Sequence, residues 1–174
     1  MEQRLWFALL VRVNKERTTE KLLGQKGYET FLPVYKERRR WSDRHVIAEK
    51  PLFPGYVFCQ FDARHRLPVL TTPGVLKVVG CGGTPVPIDE TELSAVRSVT
   101  QAPYPYGPWT YLKQGEQVRI AEGPLEGLTG ILLRIKNQYR LVVSVSLLER
   151  SVAVELDQCA VRAAGTARGS HTTA

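Results

Sequence analysis

The sequence predicts an α+β domain, a ferredoxin-like antiparallel sheet with helices on one face, followed by a small all-β barrel. Three observations lead there. Apolar strand runs alternate with two amphipathic helices as far as residue 102, a proline-rich stretch interrupts the pattern at residues 103–113, and residues 114–164 carry only strand signals. Residues 165–174 have no apolar pattern and are expected to form a disordered tail. A chain of 174 residues is long enough for two small domains, each with a modest core.

Leu5 to Val13 reads as a buried strand. Asn14 to Lys26 reads as a polar helix, with Leu22 and Leu23 facing inward and Gly27 as its stop. Tyr28 to Tyr35 returns as a strand. The run from Lys36 to Arg44 holds five cations and Trp41, and is expected to form an exposed loop or hairpin tip. Phe53 to Phe61 is a strand dense in aromatic residues. Val75 to Val79 is another, flanked by Gly74 and Gly80. Asp89 followed by Glu92 makes a capping box, and Leu93, Val96 and Val99 supply the inner face of the helix after it. Strand, helix, three strands and a helix place two helices on one face of an antiparallel sheet.

Pro103 to Lys113, PYPYGPWTYLK, contains three prolines and a glycine and is read as an irregular linker. Beyond it lie strands at Gln117 to Ala121, Leu128 to Lys136, Tyr139 to Ser146, Ser151 to Leu156 and Cys159 to Arg162, with Asn137 and Gln138 as a tight turn. Five short strands close into a barrel because closure removes exposed edges. The first hairpin is GEQVRIAEGPLEGLTG. Val118 and Ile120 alternate with Gln117 and Arg119, Gly123 and Pro124 turn the chain, and Gly127 and Gly130 mark positions needing positive φ or close backbone approach.

The composition, 43% hydrophobic and 24% charged, is that of a soluble globular protein. Lys and Arg number 24 against 17 acids, a formal charge of +7 that suits a polyanionic partner. Cys59, Cys81 and Cys159 include no C-x-x-C pair and are read as reduced, mostly buried thiols. The longest apolar run, Leu5 to Val11, is too short to span a bilayer, so a cytoplasmic location with no membrane contact is expected. His45, His65 and His171 are scattered, with no ligand or triad spacing. The expectation is therefore no enzyme, metal or cofactor.

In order along the chain, WFALLVRV from Trp6, PLFPGYVFCQF from Pro51, TPGVLKVVG from Thr72, the Pro-x-Pro-Ile-Asp-x-x-Glu segment from Pro85 to Glu92, and GEQVRIAEGPLEGLTG together resemble the NusG family of transcription elongation factors. The last stretch is similar to the KOW motif, here Gly115, Val118, Arg119, Gly123, Pro124, Gly127 and Gly130, and implies an SH3-like KOW barrel. PLFPGYVF and the basic Lys36 to Arg44 run are more similar to the specialised RfaH or capsule-locus antiterminator paralogues. The resemblance implies a monomer that bridges the RNA polymerase cleft and suppresses pausing or termination. It places Leu10, Phe53, Tyr56 and Phe58 against the clamp helices of the largest polymerase subunit. Truncating such an anchor costs roughly 2 kcal/mol or more. The competing reading is that these rings fill the core.

By the same resemblance, Arg12, Lys15, Arg17 and Lys26 lie near the non-template DNA strand. Lys36, Arg38, Arg39, Arg40, Arg44 and Trp41 form a second nucleic-acid candidate, the alternative being a solvated charged loop. His65, Thr71 and Thr72 match a loop that braces the opposite side of the cleft. The KOW barrel recruits a ribosomal protein or a termination factor, with Leu125, Leu128 and Tyr139 to Val145 as the implied surface. Leu147 and Leu148 depart from the aromatic-glycine-arginine sequence usual there. The alternative function is an RNA-binding or ribosome-associated KOW protein with no polymerase role.

Overall fold

The computed structural model describes residues 3–112 and 114–156, together with the backbone of residues 164–166. It divides into two compact units, Met1–Glu90 and Thr91–Ala174.

The first unit is built on a four-stranded antiparallel sheet of β1 (Leu5–Val11), β2 (Glu29–Phe31), β5 (Tyr56–Phe61) and β6 (Val75–Val78), in the order β2-β5-β1-β6. Helix α1 (Glu16–Gln25) connects β1 to β2, and the single-turn α2 (Leu67–Leu70) precedes β6. Alternation sends Phe7, Leu9 and Val11 of β1 to the same side as Val57, Cys59 and Phe61 of β5, where Leu23 of α1 and Val69 of α2 complete the core. The Phe7 and Phe61 rings meet at 4.7 Å. Leu22 is only half-buried, and α1 ends before Gly27, whose φ is +86°.

The predicted strand Tyr28 to Tyr35 is in fact two. Pro33, which has no N–H to offer a ladder, follows β2, and its carbonyl accepts from Leu52 N at 2.9 Å. The chain then leaves the sheet as a separate antiparallel ribbon, β3 (Val34–Trp41) and β4 (Arg44–Pro51). A second small hairpin, β7 (Gly80–Cys81) with β8 (Thr84–Pro85), turns through Gly82 and Gly83, both at positive φ. Cys81 is exposed there, against the expectation of burial, because a two-residue ribbon has no layer to cover it. Cys59 is buried, and Cys159 lies outside the described residues.

Helix α3 (Glu90–Gln101), in the second unit from Thr91 onward, buries Leu93, Val96 and Val99, the inner face that their spacing predicted. On the sheet face where helices Asn14 to Lys26 and the one after Asp89 were expected, Leu23 of α1 is joined by Val69 of the unpredicted α2, whereas α3 from Thr91 onward falls in the second unit. There its Glu92 carboxylate accepts from Ser146 N (3.1 Å) and Ser146 Oγ (2.6 Å).

Among the described residues six strands follow: β9 (Tyr106–Trp109), β10 (Gln117–Ile120), β11 (Thr129–Ile135), β12 (Gln138–Val145), β13 (Arg150–Leu156) and β14 (Ala164–Thr166). They pair in the order β14-β10-β11-β12-β13-β9. β9 corrects the reading of residues 103–113 as irregular. Its Pro108 lies opposite Val152 at the sheet edge, where a missing N–H costs no ladder bond. β14 likewise corrects the predicted tail at residues 165–166, while Cys159 to Arg162 lies outside the described residues. Leu141, Val143 and Val145 bury one face as expected, and Ile131, Val142 and Ala153 bury a second cluster under Trp109, Leu112 and Leu133. The β11–β12 turn is one residue earlier than predicted, at Lys136 (φ +56°) and Asn137.

Candidate functional site

The most exposed chemistry of the first unit lies on the β3–β4 ribbon. Trp41 pairs directly with Arg44, so only Ser42 and Asp43 form the turn, with Ser42 at a left-handed φ of +52°. This register sorts the side chains. Lys36, Arg38 and Arg40 share one face with His45, Ile47 and Glu49. Tyr35, Glu37, Arg39 and Trp41 share the other with Arg44, Val46, Ala48 and Lys50. Near the tip the exposures are high: Trp41 71%, Ile47 62% and Val46 42%.

The ribbon's acids are used near its base. Glu37 Oε2 accepts from Lys50 Nζ at 2.6 Å and from Arg39 Nε at 2.9 Å, and these two hydrogen bonds, Lys50 first, hold its carboxyl below the ordinary glutamate range. Glu49 pairs with Arg17 of α1. Lys36, Arg38, Arg40 and Arg44 have no ion-pair partner among the described residues.

The other predicted cationic group divides in the same way. Arg12 and Lys15 are exposed. Arg17 is held by Glu49, and Lys26 Nζ donates to Pro68 O (2.8 Å) and Thr72 Oγ1 (2.9 Å), tying α1 to α2. Thr72, a predicted bracing residue, is buried and also donates to Pro68 O at 3.0 Å. Thr71 donates to the same carbonyl at 3.3 Å. His65 is exposed, 3.7 Å from Asp62.

The predicted aromatic contact set is layered. Leu10 pairs with Tyr56, and Ala8 with Phe58, on the sheet face opposite the α1 core. Phe58 and Phe53 are fully buried. Phe58 stacks on Phe31 (6.1 Å, 27°) and takes Phe53 edge-on (5.7 Å, 86°). Leu10 and Tyr56 are half-buried. Phe53 and Phe58 are thus core residues, whereas Leu10 and Tyr56 are partly exposed on the same sheet face as Phe58. Sequence reasoning passed over Glu16. Its buried carboxylate accepts from Gly55 N at 2.9 Å, while Gly55 O accepts from Val11 N at 2.8 Å, which locks the turn before Tyr56 onto α1 and β1. An acid in a helix's first turn is the signal that marks it.

In the second unit the glycines expected to form the KOW motif occupy positive-φ or crowded positions. Gly123 and Gly127 have φ of +91° and +80°. Gly127 N donates to Ile120 O at 2.8 Å, and Ile120 N to Leu128 O at 2.9 Å. A Cβ on Gly130 would stand 2.5 Å from Val142 O, and one on Gly115 2.5 Å from Ile131 Cγ2. Val118 is buried and Arg119 exposed. Leu125 and Leu128 are buried and cannot provide the partner surface expected of them. A concavity of about 220 Å³ lies instead beside β9. There the Arg140 guanidinium stands 4.9 Å from the Trp109 ring centroid and 3.4 Å from Glu155 Oε1.

A family model described as NusG, transcription termination factor, matches residues 4–97, more than half of the chain. The chain belongs to the NusG family. It is 34% identical over 149 residues to the transcription termination/antitermination protein NusG of Escherichia coli O6:H1, covering 82% of this chain and 80% of that one. With its Thermus thermophilus namesake it shares 28% identity over 177 residues, 87% of this chain and 94% of that one. Among solved structures, one titled "Domain interaction in Thermotoga maritima NusG" has a similar fold, with a TM-score of 0.57 at 21% identity. It covers 95% of this chain and 98% of that one.

Proposed function

We propose that this NusG-family chain is a cytoplasmic transcription elongation and antitermination factor that binds RNA polymerase through its first unit. On this reading it spans the cleft from the clamp helices, faces the non-template strand with its exposed cations, and suppresses pausing or termination. The order β2-β5-β1-β6, with connections through α1 and α2, supports a ferredoxin-like first unit. The glycine geometry of β10 and β11 supports an SH3-like KOW barrel in the second, whose concavity at Trp109 and Arg140 would receive a ribosomal protein or termination factor. The basic ribbon supports a specialised, operon-directed role.

One observation carries the polymerase contact. Leu10 and Tyr56 pair across neighbouring strands, half-exposed, on the sheet face that also carries the packed rings of Phe31 and Phe58. A pre-ordered apolar anchor of this kind gives up little side-chain freedom on docking. The test is retention of nuclease-treated core polymerase on the immobilised full chain. Wild type should hold it, and Tyr56→Ala, shown folded by circular dichroism, should weaken it about 30-fold, the equivalent of about 2 kcal/mol. Failure of the wild-type chain to retain polymerase without RNA overturns the proposal.

A further inference from the structure

We infer that the segment from Pro105 to Leu112 is a built-in stand-in for an extended peptide, and that the sheet face beneath it is a groove where a partner's strand replaces it. The inference rests on the recruiting role proposed above for this concavity and deepens it by naming what is recruited and what covers the site. The ladders place Ile131, Val142, Ala153 and Gly107 in one row across β11, β12, β13 and β9. The next row holds Leu133, Arg140 and Glu155. Ile131, Val142 and Ala153 are buried, and alternation puts them on the face opposite Leu141, Val143 and Val145. The second unit thus has two apolar sheet faces, and on this one Trp109 and Leu112 of the segment, with Leu133, form the cover.

The cover fits incompletely, and each gap specifies a feature of the ligand. Glu155 N donates to Pro105 O at 2.9 Å, but Pro105 has no N–H with which to return the bond. Gly107 ends the apolar row without a side chain, and a Cβ built on it would meet nothing within 4 Å. The concavity of about 220 Å³ is lined there by Gly107, Arg140, Ala153 and Glu155. Arg140 Nε is buried with no hydrogen-bond partner among the described residues, although the Trp109 ring lies 4.9 Å from the guanidinium. A second concavity, of about 290 Å³, lies beside Tyr111 and Leu112, against Thr129, Ile131 and Ser144. The matching ligand is an extended segment with an N–H in place of Pro105 and a branched aliphatic side chain in place of Gly107. An aromatic follows two residues on, and an aliphatic three beyond that, as Trp109 and Leu112 do here. Such a strand repeats the contacts of the cover and adds the ladder bond and the filled volume that the cover lacks. An oxygen of the ligand aimed at Arg140 satisfies its buried Nε.

The test uses the full chain and a fluorescein-labelled nine-residue peptide with the sequence of residues 104–112, carrying Pro105→Thr and Gly107→Val. Because the cover competes from within the same chain, wild type should bind the peptide weakly, and Trp109→Ala, shown folded by circular dichroism, about tenfold tighter. Trp109→Leu makes the same comparison should the alanine variant unfold. The unsubstituted peptide should bind Trp109→Ala about tenfold more weakly than the substituted one. On Trp109→Ala, the substituted peptide should slow amide exchange in β13 and leave β1 and β5 unchanged. Placed in the chain itself, Pro105→Thr with Gly107→Val tightens the cover and should exclude the peptide. Four results each overturn the inference: equal binding by wild type and Trp109→Ala, equal binding of the two peptides, no protection of β13, or a dimer by light scattering, in which a second copy's segment fills the groove. If the tightened chain excludes the peptide yet keeps the partner-dependent effect of wild type in a coupled extract, the groove stands and the recruiting role fails.

Discussion

Thr19 leaves no room for a side chain at position 74. A Cβ there would stand 2.1 Å from Thr19 Oγ1, Thr19 is itself buried, and Gly74 has a φ of +96°. Gly74→Ala combines backbone strain with a clash against a residue that cannot swing aside, so it should lose about 3 kcal/mol in urea unfolding. Gly24, in α1 with nothing within 4 Å, is the control: Gly24→Ala should gain about 0.5–1 kcal/mol. The thiols differ as sharply. Cys59 is buried in the sheet core and burial pushes its pKa up to about 12, whereas Cys81 is exposed. Brief alkylation at pH 8 followed by peptide mapping should label Cys81 and spare Cys59 until denaturant is added. Asp62 accepts from Arg64 N at 3.0 Å and from Arg64 Nη2 at 2.7 Å, bonds that hold its carboxyl well below the usual aspartate range. A depressed folded-state pKa stabilises the fold above the ordinary value near 4, and that contribution fades as pH falls below it. Thermal melts between pH 2 and 7 should show a shallower acid limb for Asp62→Asn.

Among elements, β9 is the one whose role differs most from its local signals. Three prolines and a glycine read as a linker, yet Tyr106–Trp109 pairs with β13, and Trp109 covers the cluster of Ile131, Val142 and Ala153. Trp109→Ala should destabilise the second unit by about 2 kcal/mol and speed amide exchange in β13, while exchange in β1 and β5 stays unchanged. An irregular linker would leave β13 unaffected. The reason β9 was hidden is general: a short edge strand owes its existence to a partner strand more than 40 residues away, and propensity does not register that partner. Elements with their own periodicity were legible, such as β12 with Leu141, Val143 and Val145, or α3 with Leu93, Val96 and Val99. The ribbon was legible as a hairpin tip but not as two faces, because face assignment needs the register Trp41 to Arg44. The candidate site shows the same limit. Composition marks Phe53 and Phe58 as readily as Tyr56, and only the packing of Phe31, Phe58 and Phe53 separates the buried rings from half-exposed Tyr56.

At the scale of the whole molecule, the proposed division of labour requires the two units to fail separately. The polymerase contact is assigned to Leu10 and Tyr56, in Met1–Glu90, and partner recruitment to the sheet of Thr91–Ala174. A lesion in the second unit is available at Gly130, where an added methyl would meet Val142 O at 2.5 Å and Leu141 Cγ at 3.0 Å and so force β10–β11 away from β12. On purified polymerase paused on a template, the wild-type chain should shorten pause lifetimes. Tyr56→Ala should need at least tenfold more protein for the same effect, and Gly130→Ala should act like wild type. In a coupled extract, where partners are present, Gly130→Ala should lose the additional effect that wild type shows over the purified system. If Gly130→Ala were as inactive as Tyr56→Ala on purified polymerase, the second unit would share in the polymerase contact. The division of labour between the two units would then be overturned.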